Sequence, residues 1–86
     1  MYGDEDSILI ERAQRSGEYF SVLYKKYADP ICKYVLPRVD FDRTVAEDIM
    51  QDVFFRAFEH IKQYEYHGIP YKAYLFTIAH NLLINH

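Results

Sequence analysis

The sequence predicts an all-α fold, a compact bundle of about four helices, and three observations support this. Long segments repeat apolar residues at helical spacing, whereas alternating apolar and polar residues never extend beyond a few positions. Only three Gly and three Pro occur in 86 residues, too few for the many turns of a β-sandwich or β-barrel. Half of the residues are apolar, which suits one domain with one core over residues 1–86.

The first helix is expected to begin at Asp4 or Asp6 and to end at Ser16. Acidic side chains at its start lie near the positive end of the helix dipole, and Gly17 favours its termination. The acidic opening of the chain is unlike a signal peptide, and no stretch approaches the roughly 20 apolar residues of a membrane span. We therefore expect a cytoplasmic protein that does not insert into membranes.

The second helix is expected from Glu18 to about Leu36. Pro30 lies inside this pattern and removes a backbone hydrogen bond, so a kink or a short break is expected at Ala28–Asp29. The single cysteine, Cys32, cannot form a disulfide within the chain, and its apolar surroundings favour a small core residue over a reactive thiol. Because no Cys/His cluster has zinc-site spacing, we expect no metal or other cofactor.

The third helix is expected to be capped by Asp42 or Thr44 and to reach Ile61 or Lys62. Successive residues on a helix are about 100° apart, so its two adjacent phenylalanines, Phe54 and Phe55, cannot both face the core. The projection places one broad apolar arc on the core side: Ala46, Ile49, Met50, Val53, Phe54, Ala57, Phe58 and Ile61.

Phe55 falls on the opposite side of the third helix. Its neighbours there are Asp48, Gln51, Asp52, Glu59 and Lys62. An exposed ring among carboxylates suits docking of a basic partner, because the ring supplies burial and the charges select the partner. Phe55 is equally explained as one of many solitary exposed apolar side chains. No His or Gly-rich loop accompanies these acids, so a solvated acidic face is favoured over an enzyme site.

The fourth helix is expected to open at Pro70 and to continue to the end of the chain. One face presents hydrogen-bonding groups without charge, and the preceding loop adds aromatic rings. This set comprises Tyr64, Tyr66, His67, Tyr74, Thr77, Asn81 and Asn85. Amides can read base edges and rings can stack unpaired bases, so the set suits single-stranded DNA. The alternatives are a merely soluble helix end and core packing of Tyr64 or Tyr66.

The charge is distributed unevenly along the chain. Residues 1–60 carry eight Lys and Arg against twelve Asp and Glu, whereas residues 61–86 carry Lys62 and Lys72 against Glu65. The net charge of −3 therefore argues against a generic nucleic-acid binder, but the C-terminal third could approach a polyanion.

The motifs resemble those of bacterial sigma factors, especially the extracytoplasmic-function group. The stretch "AEDIMQDVFFRAF" is similar to the AED–Q–F–RA signature of their second conserved region, and "PYKAYLFTIAHNLLIN" resembles its continuation. Upstream, "DSILIERAQRSGEYFSVLYKKYADPICKYV" matches the opening pattern of the family. The resemblance covers nearly the whole chain at compatible spacing, and its motifs are specific in combination rather than singly.

The resemblance implies a non-enzymatic transcription initiation domain that docks on the β′ clamp helices of core RNA polymerase. It also implies melting and capture of the promoter −10 element, with the non-template strand held as single-stranded DNA, and an anti-sigma factor as a further partner. The implied polymerase-binding residues are Asp48, Gln51, Asp52, Phe55 and Arg56. The implied DNA-binding residues are Tyr64, Tyr66, His67, Lys72, Tyr74, Thr77, Asn81 and Asn85.

Two departures from the family pattern affect these expectations. The family often has Trp at the position of Tyr74 and more Arg or Lys on the last helix, so weak attraction to phosphates is implied here. The helix-turn-helix domain that such factors use for the −35 element is absent, and we expect a fragment of a longer protein. The alternative function is a sigma-like interaction module that binds polymerase or an anti-sigma factor without reading DNA.

Overall fold

The computed structural model describes residues 5–85, so Asp4, one of the two expected starts of the first helix, lies outside it. Within this range there are four α-helices and no strand, which confirms the all-α bundle. Short 3₁₀ turns at Gly17–Tyr19, Leu36–Val39 and Ile61–Gln63 lie between them. The α-helices are α1 (Glu5–Arg15), α2 (Phe20–Val35), α3 (Arg43–His60) and α4 (Tyr71–Ile84).

One apolar core lies between the four helices, and α2 and α3 supply most of it. The helical periodicity of the sequence accounts for these positions, since each helix buries one stripe of side chains. The side chains of the core with no exposed surface are Leu23, Ile31, Val35, Val53, Ala57, Tyr71, Leu75 and Ala79.

Of the kink or short break expected at Ala28–Asp29, the break is not found, because α2 runs without interruption through Pro30. Tyr27 and Ile31 on either side of the proline are buried in the core. An interior proline costs a helix about 3 kcal/mol, whereas each large apolar side chain that is buried contributes roughly 1.5–3 kcal/mol. Tertiary packing of the flanking residues therefore outweighs the local cost of Pro30.

The start of α3 is fixed by Asp42, one of the two expected caps. Its carboxylate accepts a hydrogen bond from the Val45 amide at 3.2 Å. The two preceding residues, Asp40 and Phe41, adopt left-handed backbone conformations with φ of 56° and 60°. Such conformations are uncommon for residues other than glycine, and here they turn the chain sharply into α3.

The predicted faces of α3 are confirmed for the adjacent phenylalanines, since Phe54 is 5% exposed and Phe55 is 59% exposed. Phe58, expected in the core, is an exception because 46% of its surface is exposed. It packs edge-to-face on Phe20 at a centroid distance of 5.4 Å, at the rim of the core. Cys32 was also expected in the core but is half-buried in a groove between α2 and α3.

Asp6 is the buried carboxylate of the core, a role that its place in an acidic N-terminal run did not indicate. It accepts hydrogen bonds from Lys26 Nζ at 2.7 Å and from the Tyr27 hydroxyl at 2.6 Å and 2.8 Å. Burial by itself raises the pKa of Asp6. The hydrogen bonds from Lys26, Tyr27 and the Tyr71 amide together lower the pKa by more than burial raises it, so the net shift is downward. The buried charge is thus paired.

Candidate functional site

The outer face of α3 carries the five residues expected to bind polymerase. Asp48, Gln51, Asp52 and Phe55 line a shallow depression of about 560 Å³. Arg56 lies at its edge and forms an ion pair with Asp52, with 3.5 Å between Nε and Oδ1. A ring surrounded by carboxylates therefore projects from the helix, and one of the carboxylates is already shared with a cation.

The loop between α3 and α4 forms a small pocket against the first turns of α4. Its volume is about 210 Å³. Gly68 adopts a φ of 87°, a left-handed conformation that glycine reaches without strain, and it turns the loop back toward α4. The lining residues are Tyr64, Glu65, His67, Ile69, Ala73, Tyr74 and Thr77.

Three tyrosine rings cluster at this pocket: Tyr64 and Tyr74 line it, and Tyr71 packs against both of them. The Tyr64 ring lies 4.9 Å from both Tyr71 and Tyr74, and the latter two are 5.4 Å apart. Desolvation by burial raises the pKa of Tyr64 and of Tyr74, so both phenols are neutral hydrogen-bonding groups at physiological pH. Tyr64 and Tyr66 both pack against the core, whereas the sequence suggested that only one of them would.

The exposed side chains near the pocket differ in whether they already have a partner within the chain. His67 lies 3.6 Å from the Glu65 carboxylate, and Lys72 is exposed in the first turn of α4. The Thr77 hydroxyl donates to the Ala73 carbonyl at 3.0 Å.

The two amides on α4 differ as well. The side-chain Nδ2 of Asn85 donates to the backbone carbonyl of Asn81 at 3.0 Å. Among residues 5–85, the Asn81 side chain makes no hydrogen bond and is exposed. Within the described part of the chain, the side-chain amide of Asn81 is therefore available to a ligand, while its backbone carbonyl is engaged by Asn85.

A groove of about 470 Å³ between α3 and α4 joins the two predicted surfaces. Asp52, Phe55 and Arg56 form part of its α3 wall, and Tyr74, Asn81 and Asn85 form part of its α4 wall. Four further lining residues were not among those expected to bind polymerase or DNA: Glu59, His60, Ile78 and Leu82. Ile78 and Leu82 are half-buried and contribute apolar surface to the α4 wall.

Residues 5–85 contain neither a group of metal-ligand side chains nor a membrane-spanning helix. In that range no three His, Cys, Asp or Glu side chains are grouped so that they could hold a metal ion. Along the same part of the chain, no helix is both long and apolar enough to cross a membrane.

The comparisons with known proteins agree with the motif resemblance. A Sigma-70 region 2 family model matches residues 23–86. The ECF RNA polymerase sigma factor BldN of Streptomyces coelicolor is 38% identical over 79 residues, which cover 91% of this chain and 30% of BldN. The ECF sigma factor SigM of Bacillus subtilis is 31% identical over 64 residues, which cover 74% of this chain and 37% of SigM.

The structural comparison gives the same result. A chain in a solved structure of an RsbN–BldN complex has a TM-score of 0.82 and 36% identity, covering 90% of this chain and 56% of that one. The matched part of this chain spans 30% of the length of BldN and 37% of the length of SigM. The chain belongs to the Sigma-70 region 2 family, in the extracytoplasmic-function group of sigma factors, which are transcription initiation factors and not enzymes.

Proposed function

We propose that this domain docks on the β′ clamp helices of core RNA polymerase and holds bases of the opened −10 element. The observation that carries the proposal is the pocket of about 210 Å³ between the aromatic loop and α4. Tyr74 also lines a neighbouring groove between α3 and α4, and the outward-facing Phe55 lines the other wall of that groove. Membership of the sigma factor family supports both parts of the proposal.

Docking is assigned to the outer face of α3. Phe55 offers an exposed ring whose burial contributes to binding, and Asp48 and Gln51 flank it in a shallow depression. Interface aromatics in such positions commonly dominate binding energy, while the surrounding charges select the partner. An acidic face of this kind suits a partner helix with basic side chains.

Base capture is assigned to the loop and to α4. A pocket of about 210 Å³ is smaller than the roughly 300–1,000 Å³ typical of sites for drug-sized ligands, and its aromatic wall suits one planar base. The phenol of Tyr74 and the hydroxyl of Thr77 lie at its edge, and the unengaged amide of Asn81 follows one turn later on α4. Rings that stack bases and amides that read their edges are the two parts required.

The promoter is held mainly by the polymerase in this proposal. Lys72 is the single Lys or Arg in residues 71–86. Because neutralised phosphates supply most non-specific affinity, the domain alone binds duplex DNA weakly. Opening of the −10 element is therefore a property of the complex with polymerase.

A regulatory protein is proposed as a second partner. BldN has been found in a complex with RsbN, and this chain resembles a chain of that complex over 90% of its length. An anti-sigma factor that covers the α3 face or the groove would block docking. The few basic residues on α4 also favour the alternative, an interaction module that binds such partners without reading DNA.

The proposed base reading is tested with Asn81→Ala in the holoenzyme. We expect discrimination at one −10 position to fall by about 1–3 kcal/mol, because the amide can no longer pair with a base edge. Open-complex formation is measured across promoters that differ by single bases, with polymerase affinity measured in parallel. Gln63→Ala, which removes an exposed amide outside α4, is the control and retains the wild-type preference.

The interaction-module alternative gives a different result. In that case Asn81→Ala and Asn85→Ala both leave the base preference unchanged, while polymerase or anti-sigma binding persists.

A further inference from the structure

The loop that forms the proposed base pocket is tied to α1 at both of its ends. At its start, Gln14 Nε2 donates to the Ile61 carbonyl at 3.0 Å and to the Tyr64 carbonyl at 2.8 Å. At its end, the Asp6 carboxylate accepts a hydrogen bond from the Tyr71 amide at 2.9 Å. Two residues of one helix, two turns apart, thus hold backbone groups on either side of the pocket.

The contact at Tyr71 replaces a missing helix cap. The N-cap position of α4 is occupied by Pro70, which provides no side-chain oxygen to accept from the first amides of the helix. Asp6, 65 residues earlier in the sequence, supplies that acceptor. Its negative charge also lies at the positive end of the α4 dipole.

The acceptor is itself held rigidly. Lys26 and Tyr27 on α2 both donate to the Asp6 carboxylate, and Lys26 additionally contacts Glu5 at 2.7 Å. The Asp6 side chain is buried, and its hydrogen bonds to α2 and to the start of α4 restrict its position. The start of α4 is therefore fixed to α1 and α2 together.

The loop needs such support because it has little of its own. Residues 64–70 form no helix or strand, so their backbone groups lack the regular hydrogen bonds of secondary structure. Tyr64 lines the pocket and is itself held by Gln14 through its carbonyl. Tyr74 also lines the pocket and lies one turn after Tyr71, whose amide is held by Asp6. A shift at either contact would be transmitted directly to these rings.

We propose that α1 is a brace that sets the shape of the base pocket, with Gln14 and Asp6 as positioning residues for DNA reading. This inference rests on the proposed function, since it concerns the same pocket. Neither residue is a lining residue of the pocket, and both act through backbone groups of the loop and α4. Loss of the brace should impair base discrimination without impairing polymerase docking, because the docking face lies on α3.

The principal variant is Gln14→Met, which preserves side-chain length and removes the donor. Glu11→Gln, on the same helix, is the matched control because it removes only the exposed ion pair with Arg15. Asp6→Asn is a second variant for the other end of the loop. Gln14 is only half-buried, so its variant is expected to fold even if Asp6→Asn does not.

Two readouts are combined. The first is hydrogen exchange of the amides of residues 64–71 in the protein without DNA. We expect Gln14→Met to accelerate it on the order of tenfold, with exchange in the α2 and α3 core unchanged. The second is base discrimination by the holoenzyme at the −10 element, which we expect to fall on the order of fivefold while polymerase affinity is unchanged.

The outcomes separate the two proposals. If the unaltered holoenzyme shows no base preference, the proposed function fails, and loop exchange alone then decides whether α1 acts as a brace. If it has a preference that Gln14→Met retains, or if loop exchange in that variant equals that of Glu11→Gln, the brace is refuted. Acceleration spread evenly over the whole bundle would also refute it, because it indicates general destabilisation rather than positioning.

Discussion

At the scale of single residues, the adjacent side chains of Phe54 and Phe55 lie on opposite faces of α3. The Phe54 side chain is buried and packs edge-to-face on Tyr24 at a centroid distance of 4.8 Å. The Phe55 side chain lies in the open depression on the opposite face of α3. A rotation of about 100° between neighbours thus assigns one ring to the core and the other to the surface.

We expect Phe55→Ala to weaken polymerase docking by about 2 kcal/mol or more and to change the free energy of unfolding by about 0.5 kcal/mol or less. Phe54→Ala should instead destabilise the fold by roughly 3–5 kcal/mol through the cavity that it leaves. Thermal unfolding and binding to core polymerase are measured for both variants. A larger loss of stability for Phe55→Ala than for Phe54→Ala would contradict the assignment.

At the scale of elements, the outer face of α3 carries two carboxylates that differ in their pairing. Asp48 has no ion-pair partner among the described residues, whereas Asp52 already shares its charge with Arg56. The two carboxylates are therefore unequal in what they offer to a basic partner. A sequence projection places both on one face but does not reveal this difference.

We expect association with core polymerase to slow on the order of tenfold between low and high salt, since steering by exposed charges is screened beyond about 8 Å at physiological ionic strength. Asp48→Asn should lower the association rate more than Asp52→Asn, and each should change dissociation less than association. Rates are measured by stopped-flow mixing, with Glu11→Gln on α1 as the control. A salt-independent association rate would argue against electrostatic docking.

At the scale of the whole molecule, the Asp6 network joins three helices and makes stability depend on pH. The pKa of Asp6 lies below its usual 3.8, so its contribution is complete above that pH and is lost as pH falls through the lowered pKa. Burial, followed by the hydrogen bond to Asp6, raises the pKa of Tyr27 from 10.0 to about 12. That contribution is complete below pH 10.0 and is lost as pH rises toward about 12.

We therefore expect the free energy of unfolding to be flat in the neutral range and to fall at both extremes. Tyr27→Phe should lower it by about 1.5–3 kcal/mol at neutral pH, because a hydrogen bond to a charged group is lost, and should weaken its alkaline decline. Urea unfolding followed by circular dichroism between about pH 3 and about pH 11 measures both effects. An alkaline decline as steep in Tyr27→Phe as in the unaltered protein would count against the network.

The sequence alone determined the features that repeat along a helix. Apolar spacing gave four helices, the buried position of Phe54 and the exposed position of Phe55, since a period of 3.6 residues is a local property. It also indicated most of the rings and amides that line the pocket and the groove beside α4. The sequence predicted less well where helices end at 3₁₀ turns and that α2 continues through Pro30, because tertiary packing determines both features.

Only the tertiary structure decided which side chains meet across long sequence separations. Asp6 caps a helix 65 residues away, and Gln14 bonds carbonyls 47 and 50 residues away. Neither contact follows the helical periodicity. In the sequence, an acid in the first turn of α1 and a glutamine in its last turn therefore look like ordinary surface residues. Phe58 remains half-exposed because it packs at the rim of the core, where the neighbouring elements cover only one side of its ring. Burial depends on what lies opposite a side chain, and only the folded chain supplies that information.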